Sequence, residues 1–109
     1  MTTRSINLGS DRRSGRTTTM LAILHGLQLQ AQPALYVCST ASLSSLARSR
    51  TRHEVRCMSV EQFVRCGGLA GTVVVGMDDT SQWPPAMLDE ATSILRKMAP
   101  TLRMIVSAS

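Results

Sequence analysis

The segment 9–21, GSDRRSGRTTTML, has the residue types of a loop that holds a phosphate at the start of a helix. The common pattern for such a loop is glycine, four residues, glycine, lysine, and then serine or threonine. Counted back from Gly15, the first glycine position holds Ser10, and Arg16 stands in the lysine position. The segment therefore keeps the second glycine and the hydroxyl residue and departs from the pattern at two positions.

Polar side chains also follow three later apolar runs of the chain. Ser39 follows one run, Asp78 and Asp79 follow three consecutive valines, and Ser107 lies at the end of the last run. In an open α/β sheet, ligands bind beyond the carboxyl ends of the strands. We therefore expect these side chains to converge with the segment around Gly15 at one edge of a sheet.

The elements that must position these residues alternate between strand-like and helix-like patterns of apolar residues. The valines of the stretch 71–79, bounded by turn residues, indicate a central parallel strand buried on both faces. The stretch 84–99 is a helix with proline near its start and basic residues in its last turn. The pattern predicts strands at 6–9, 34–40, 53–59, 71–79 and 101–109, and helices at 17–32, 41–50, 60–66 and 84–99.

This alternation predicts an α/β fold in which a mostly parallel five-stranded sheet carries helices on both faces. The chain has 109 residues, the size of one ordinary domain, and 43% of them are hydrophobic, which is enough for a core. We therefore expect one domain that spans residues 1–109.

The composition also limits the class of protein. The three cysteines do not have the spacing of a zinc site or of a disulfide framework. The chain has no run of the about 18–20 apolar residues that span a membrane, and its start does not resemble a signal peptide. We expect no membrane partner and a cytoplasmic location, or a place in a virus particle if the protein is viral.

Four motifs, taken in chain order, resemble those of P-loop NTPases. SDRRSGRT (10–17) looks like the Walker A motif, and VVVGMDD (73–79) looks like Walker B followed by an acidic residue. ALYVCSTASLSSLAR (34–48) is similar to the strand and turn of helicase motif Ia, and VSAS (106–109) resembles the helicase Ser-Ala-Thr motif. The resemblance covers nearly the whole chain and is closest to the first, RecA-like motor domain of superfamily 2 helicases and to phage DNA-packaging ATPases.

The resemblance implies ATP and Mg²⁺ as ligands. The positions that match its nucleotide-binding residues are Ser10, Gly15, Arg16, Thr17 and Ser107. Backbone amides around Gly15 would cradle a phosphate, and Ser107 would sense the γ-phosphate.

The same resemblance implies a metal site and a catalytic residue. Thr17 and Asp78 would hold Mg²⁺, and Asp79 takes the place of the glutamate that activates water. Aspartate is one methylene shorter than glutamate, and the guanidinium of Arg16 does not have the geometry of a lysine ammonium. Helicases also take an arginine from a second motor domain. We therefore expect weak or partner-dependent ATP hydrolysis, with a homo-oligomer or another protein as the partner.

Two further functions remain open from the sequence. In the first, the chain is a catalytically inactive scaffold of the same fold, for example in the assembly of a phage virion. In the second, it is a small basic nucleic-acid-binding protein. The net charge of +5 permits contact with a polyanion. The residues predicted to bind nucleic acid are Arg48, Arg50 and Arg52.

Overall fold

The computed structural model describes residues 3–9, 15–68 and 70–109, with Arg16 through its backbone. Within these residues, five parallel strands form one sheet in the order β1-β5-β4-β2-β3. The strands are β1 Arg4–Asn7, β2 Ala34–Cys38, β3 Arg56–Ser59, β4 Val74–Met77 and β5 Met104–Ser107. The helices are α1 Arg16–Leu29, α2 Ala41–Arg50, α3 Val60–Cys66 and α4 Pro85–Met98. This confirms the predicted α/β fold, and the sheet is parallel throughout.

The helices cover both faces of the sheet, as predicted. Residues that alternate along each strand point to opposite faces. Tyr36 and Cys38 of β2 pack with α1 and α2 in one buried cluster, whereas Leu35 and Val37 pack with α3 and α4 in the other. The radius of gyration is 12.5 Å, close to the about 13 Å of one compact domain of this length.

Local capping explains why two helices have the predicted bounds. The hydroxyl of Thr40 accepts a hydrogen bond from the amide of Leu43 and begins α2, and Ser59 begins α3 in the same way through the amide of Gln62. Gly67 ends α3 in the left-handed conformation, with a φ of 73°.

Most of the other elements are shorter than their predicted stretches, and the first strand is shifted along the chain. The first helix ends at Leu29 and not at Pro33, because the chain turns at Ala31, which has a φ of 60°. The first strand covers Arg4–Asn7 and not 6–9, since Gly9, with a φ of 87°, lies in the turn that follows. The valine strand is confirmed, although only Val74–Met77 of the stretch 71–79 form the ladder.

Helix α1 lies unusually close to the middle of the sheet. Gly76 of β4 faces it, and a Cβ at that position would stand 2.7 Å from Leu24 Cδ1 and 3.0 Å from Met20 Sδ. The missing side chain therefore lets α1 pack directly over β4, which brings the first turn of the helix toward the end of that strand.

Among the residues that the structure describes, no helix combines the length and the apolar character that crossing a membrane requires.

Candidate functional site

The candidate site lies where the carboxyl ends of β2 and β4 meet. The chain leaves β2 through α2 toward β3, and it leaves β4 through α4 toward β5, so the two connections diverge to opposite sides of the sheet. Ligands of doubly wound folds bind in the crevice at such a point. Ser39 follows β2 and Asp78 follows β4, so the predicted convergence at this edge is confirmed for these two residues.

The carboxylate of Asp78 is the centre of the site. Asp78 is 4% exposed. Its Oδ2 accepts hydrogen bonds of 2.6 Å from both Thr17 Oγ1 and the Tyr36 hydroxyl, and its Oδ1 accepts one of 2.9 Å from the Asp79 amide. Three donors from three segments of the chain therefore hold this buried carboxylate in one orientation, as burial of such a group requires.

Tyr36 is a site residue that was not predicted from the sequence. Its strand pairs with β4 so that Tyr36 stands opposite Gly76, two positions before Asp78. A diagonal neighbour on an adjacent strand is about 7–8 Å away, within reach of an aromatic side chain. Burial, then the hydrogen bond to Asp78 and the charge of that carboxyl group, raises the pKa of Tyr36 well above its ordinary value, so the phenol remains a donor. A tyrosine in a strand that is buried at every position was the available signal, since its hydroxyl must find a partner.

Asp79 stands beside Asp78 in a left-handed turn. Its φ is 46°, in a region that aspartate enters more readily than most residues. Its Oδ2 accepts a hydrogen bond from the Ser39 hydroxyl, which ties the end of β4 to the end of β2. Trp83 stabilises the same turn, because its buried indole donates a 3.0 Å hydrogen bond to the Asp78 carbonyl.

The start of α1 brings Thr17 to this group. Gly15 precedes the helix with a φ of 69°, where a side chain would be strained, and its carbonyl accepts the first helical hydrogen bond, from the Thr19 amide at 3.0 Å. The amides of a first helical turn have no partner inside the helix, and Gly15 has no side chain to cap them. Ser10 lies outside the described residues, and Arg16 is placed by its backbone at the first position of the helix.

Ser107 lies at the same edge of the sheet, outside the group of side chains around Asp78. It stands opposite Met77 at the end of β5, is half-buried, and accepts a 2.7 Å hydrogen bond from the Leu8 amide through its carbonyl. Its connection to the carboxylates runs through the next residue, because the Ala108 carbonyl accepts from the Thr80 amide at 3.1 Å. Ser107 therefore lies beside the site and is not part of the Asp78 network.

The three arginines predicted to bind nucleic acid have different surroundings. Arg48 donates a 2.8 Å hydrogen bond to the carbonyl of Cys57, which ties α2 to β3. Arg50 donates a 2.6 Å hydrogen bond to Thr18 Oγ1, in the first turn of α1. Arg52 lies in the exposed turn after α2 with a φ of 55°. Nucleic-acid binding by these three residues stays a prediction.

A cavity of about 270 Å³ opens above the Asp78 carboxylate. Thr17, Asp78, Asp79 and Arg50 are polar and charged residues that line it. Leu43 and Leu46 of α2 line it as well, although they are 42% and 62% exposed. The site is therefore a pocket with a hydroxyl, carboxylates and a guanidinium, next to the start of a helix.

The described residues contain no cluster of three or more histidine, cysteine, aspartate or glutamate side chains able to hold a metal by themselves. A cation at this site would take part of its coordination from a ligand or from water, as Mg²⁺ commonly does at phosphate sites. No protein-family model matches the chain, and no curated protein matches it.

Proposed function

We propose that this domain binds a nucleoside triphosphate, ATP by the resemblance of its motifs, together with Mg²⁺ at the crevice between β2 and β4. The observation that carries the proposal is the 2.6 Å hydrogen bond between Thr17 and Asp78, which are 61 residues apart in the chain. Those are the two positions that the motif comparison assigns to Mg²⁺.

The chemistry of this pair suits a hard divalent cation. A threonine hydroxyl has one proton to donate and two lone pairs. In this site Thr17 gives its proton to Asp78, so the lone pairs of Oγ1 stay available for a cation. Oxygen donors of this kind are the ligands that Mg²⁺ takes in proteins, with phosphate and water supplying the rest.

The chain's own contribution would be binding and orientation. Thr17 and Asp78 would hold the cation, and the amides that follow Gly15 would receive a phosphate at the positive end of α1. Bound Mg²⁺ would neutralise charge on the phosphates. Tyr36 would keep the Asp78 carboxylate directed toward Thr17.

Hydrolysis by this domain alone is proposed to be slow. Asp79 takes the position of the residue that activates water. Its carboxylate accepts a hydrogen bond from the Ser39 hydroxyl. A short side chain in a fixed turn leaves little freedom to place a water, and displacements of about 1 Å cost catalysis heavily. A homo-oligomer or a protein partner would then supply what the site lacks.

The test is equilibrium binding of ATP with and without Mg²⁺ to the wild type, to Thr17→Val and to Thr19→Val. Valine has the shape of threonine without its hydroxyl. Thr19 is an exposed residue of the same helical turn and is the matched control. We expect Mg²⁺ to strengthen ATP binding to the wild type and to Thr19→Val, and to have little effect on Thr17→Val. Folded wild-type protein that binds no nucleotide at millimolar concentration would refute the proposal.

The second candidate is the inactive scaffold, and the exposed apolar residues of α2 favour it. Leu43 and Leu46 lie one helical turn apart and remain substantially exposed, so this face of α2 is suited to contact another protein. A wild type that binds no nucleotide but self-associates, together with a Leu46→Ser variant that does not self-associate, would select this function over the first.

A further inference from the structure

We propose that Arg50 is a phosphate ligand of this site and makes it prefer a nucleoside triphosphate to the corresponding diphosphate. The proposal rests on the proposed function and adds to it a residue that neither the motif pattern nor the resemblance assigns to the nucleotide. Helicases take an arginine from a second motor domain, and Arg50 would supply a cationic group from within the same chain.

The position of the guanidinium is the first argument. Arg50 is the last residue of α2, and its Nη2 reaches Thr18 Oγ1 at 2.6 Å across 32 residues of chain. Thr18 directly follows Thr17, so the guanidinium lies over the first turn of α1. Arg50 also lines the cavity that Asp78 and Asp79 line.

The hydrogen bond between Arg50 and Thr18 is exposed. Arg50 is exposed, and a guanidinium has five N–H donors in a planar arrangement that matches phosphate oxygens. Its partner in the present structure is a neutral hydroxyl. A phosphate carries negative charge and can accept two parallel N–H bonds from one guanidinium, so a phosphate within reach would replace Thr18 as the partner.

The neighbouring arginines make the assignment specific. Arg48 lies on the same helix but donates to the Cys57 carbonyl, in a partly buried contact between α2 and β3. Arg52 lies beyond the end of α2, in the left-handed turn. Of these three cations, Arg50 is the one whose side chain is directed to α1 and to the cavity.

Charge explains why the terminal phosphate is the group concerned. Asp78 and Asp79 line the cavity, and a triphosphate brings one more anionic group than a diphosphate. A cation on the cavity wall offsets that additional charge, and within a pocket it is screened less than on an open surface. Arg50 is therefore expected to contribute to ATP binding and to leave ADP binding nearly unchanged.

The experiment compares the dissociation constants of Mg²⁺-ATP and Mg²⁺-ADP for the wild type, Arg50→Gln and Arg48→Gln, each checked for folding by its melting temperature. We expect Arg50→Gln to weaken ATP binding at least tenfold, about 1.4 kcal/mol, and ADP binding less than twofold. Arg48→Gln should keep the wild-type ratio of the two constants. Thr18→Val releases Arg50 from its partner and should leave ATP binding at least as strong as in the wild type.

The outcomes separate this proposal from the one on which it rests. A wild type that binds Mg²⁺-ATP, combined with an Arg50→Gln variant that keeps the wild-type ratio of ATP to ADP affinity, overturns the role of Arg50 and leaves the nucleotide site standing. Equal weakening of both nucleotides also overturns it, because Arg50 would then contact no group specific to the triphosphate. A wild type that binds neither nucleotide overturns both proposals.

Discussion

Replacing Tyr36 by phenylalanine removes one of the two hydroxyls that donate to Asp78 Oδ2 and leaves the ring in place. The tyrosine is 2% exposed and the aspartate 4%, so water does not readily replace the lost donor. Hydrogen bonds to charged groups contribute about 1.5–3 kcal/mol, and we expect the free energy of unfolding to fall by that amount.

The corresponding change in melting temperature is large enough to measure. Unfolding entropy of about 2.1 cal/mol/K per residue makes 1 kcal/mol equivalent to about 4 °C for a chain of this length. Tyr36→Phe should therefore melt about 6–13 °C below the wild type.

A double-mutant cycle attributes the loss to the contact itself. Denaturant unfolding of Tyr36→Phe, Asp78→Asn and the double variant gives the coupling energy between the two side chains. We expect a coupling of at least about 1 kcal/mol, because the two groups share one 2.6 Å hydrogen bond. A neutral Tyr36→Phe, or purely additive losses, would show that the phenol does not hold the carboxylate.

Three further predictions concern the packing and the thiols. Gly76→Ala would place a Cβ 2.7 Å from a leucine side chain of α1 and should cost about 1–3 kcal/mol of stability in denaturant unfolding. Gly26 lies in α1 with open space around it, so Gly26→Ala should stabilise the protein by about 0.5–1 kcal/mol. A thiol reagent should label the exposed Cys66 in the folded chain and all three cysteines after unfolding; rapid labelling of three in the folded protein would contradict the burial of Cys38 and Cys57. Burial raises the pKa of Cys38 to about 12 and that of Cys57 to about 11. Between the ordinary thiol pKa of 9 and these values, only the unfolded chain loses the two protons. The free energy of unfolding should therefore fall as the pH rises above 9, by at most about 1.4 kcal/mol per pH unit for each thiol.

Elements with local signals could be predicted well from the sequence. Helices α2 and α3 have the predicted bounds because Thr40, Ser59 and Gly67 mark their ends through contacts within a few residues. The valine strand was recognisable because burial on both faces requires a continuous apolar run. The approach of Asp78 to the other strand ends followed from parallel pairing, a rule that needs no knowledge of individual contacts.

The contacts within the site depend on information that local patterns do not contain. Tyr36 reaches Asp78 because β2 is adjacent to β4 and is paired in the register that sets Tyr36 opposite Gly76. Arg50 reaches Thr18 because α1 and α2 lie side by side on one face of the sheet, although 32 residues separate the two side chains in the chain. Strand order and register result from the packing of the whole domain, so these partners could not be read from the spacing of the residues.

The pairing of β1 has a consequence for how the chain folds as it is synthesised. Among the described residues, β1 lies at one edge of the sheet and its neighbour is β5, the last of the five strands in chain order. The strand that leads toward Gly15 therefore cannot pair until β5 is available, whereas β4, β2 and β3 form a contiguous part of the sheet and can assemble earlier. Closing so long a loop costs entropy before the new contacts compensate for it, and pairings distant in sequence form slowly. The β1–β5 pair is thus expected to form after the part of the sheet made by β4, β2 and β3, once Met104–Ser107 has been synthesised.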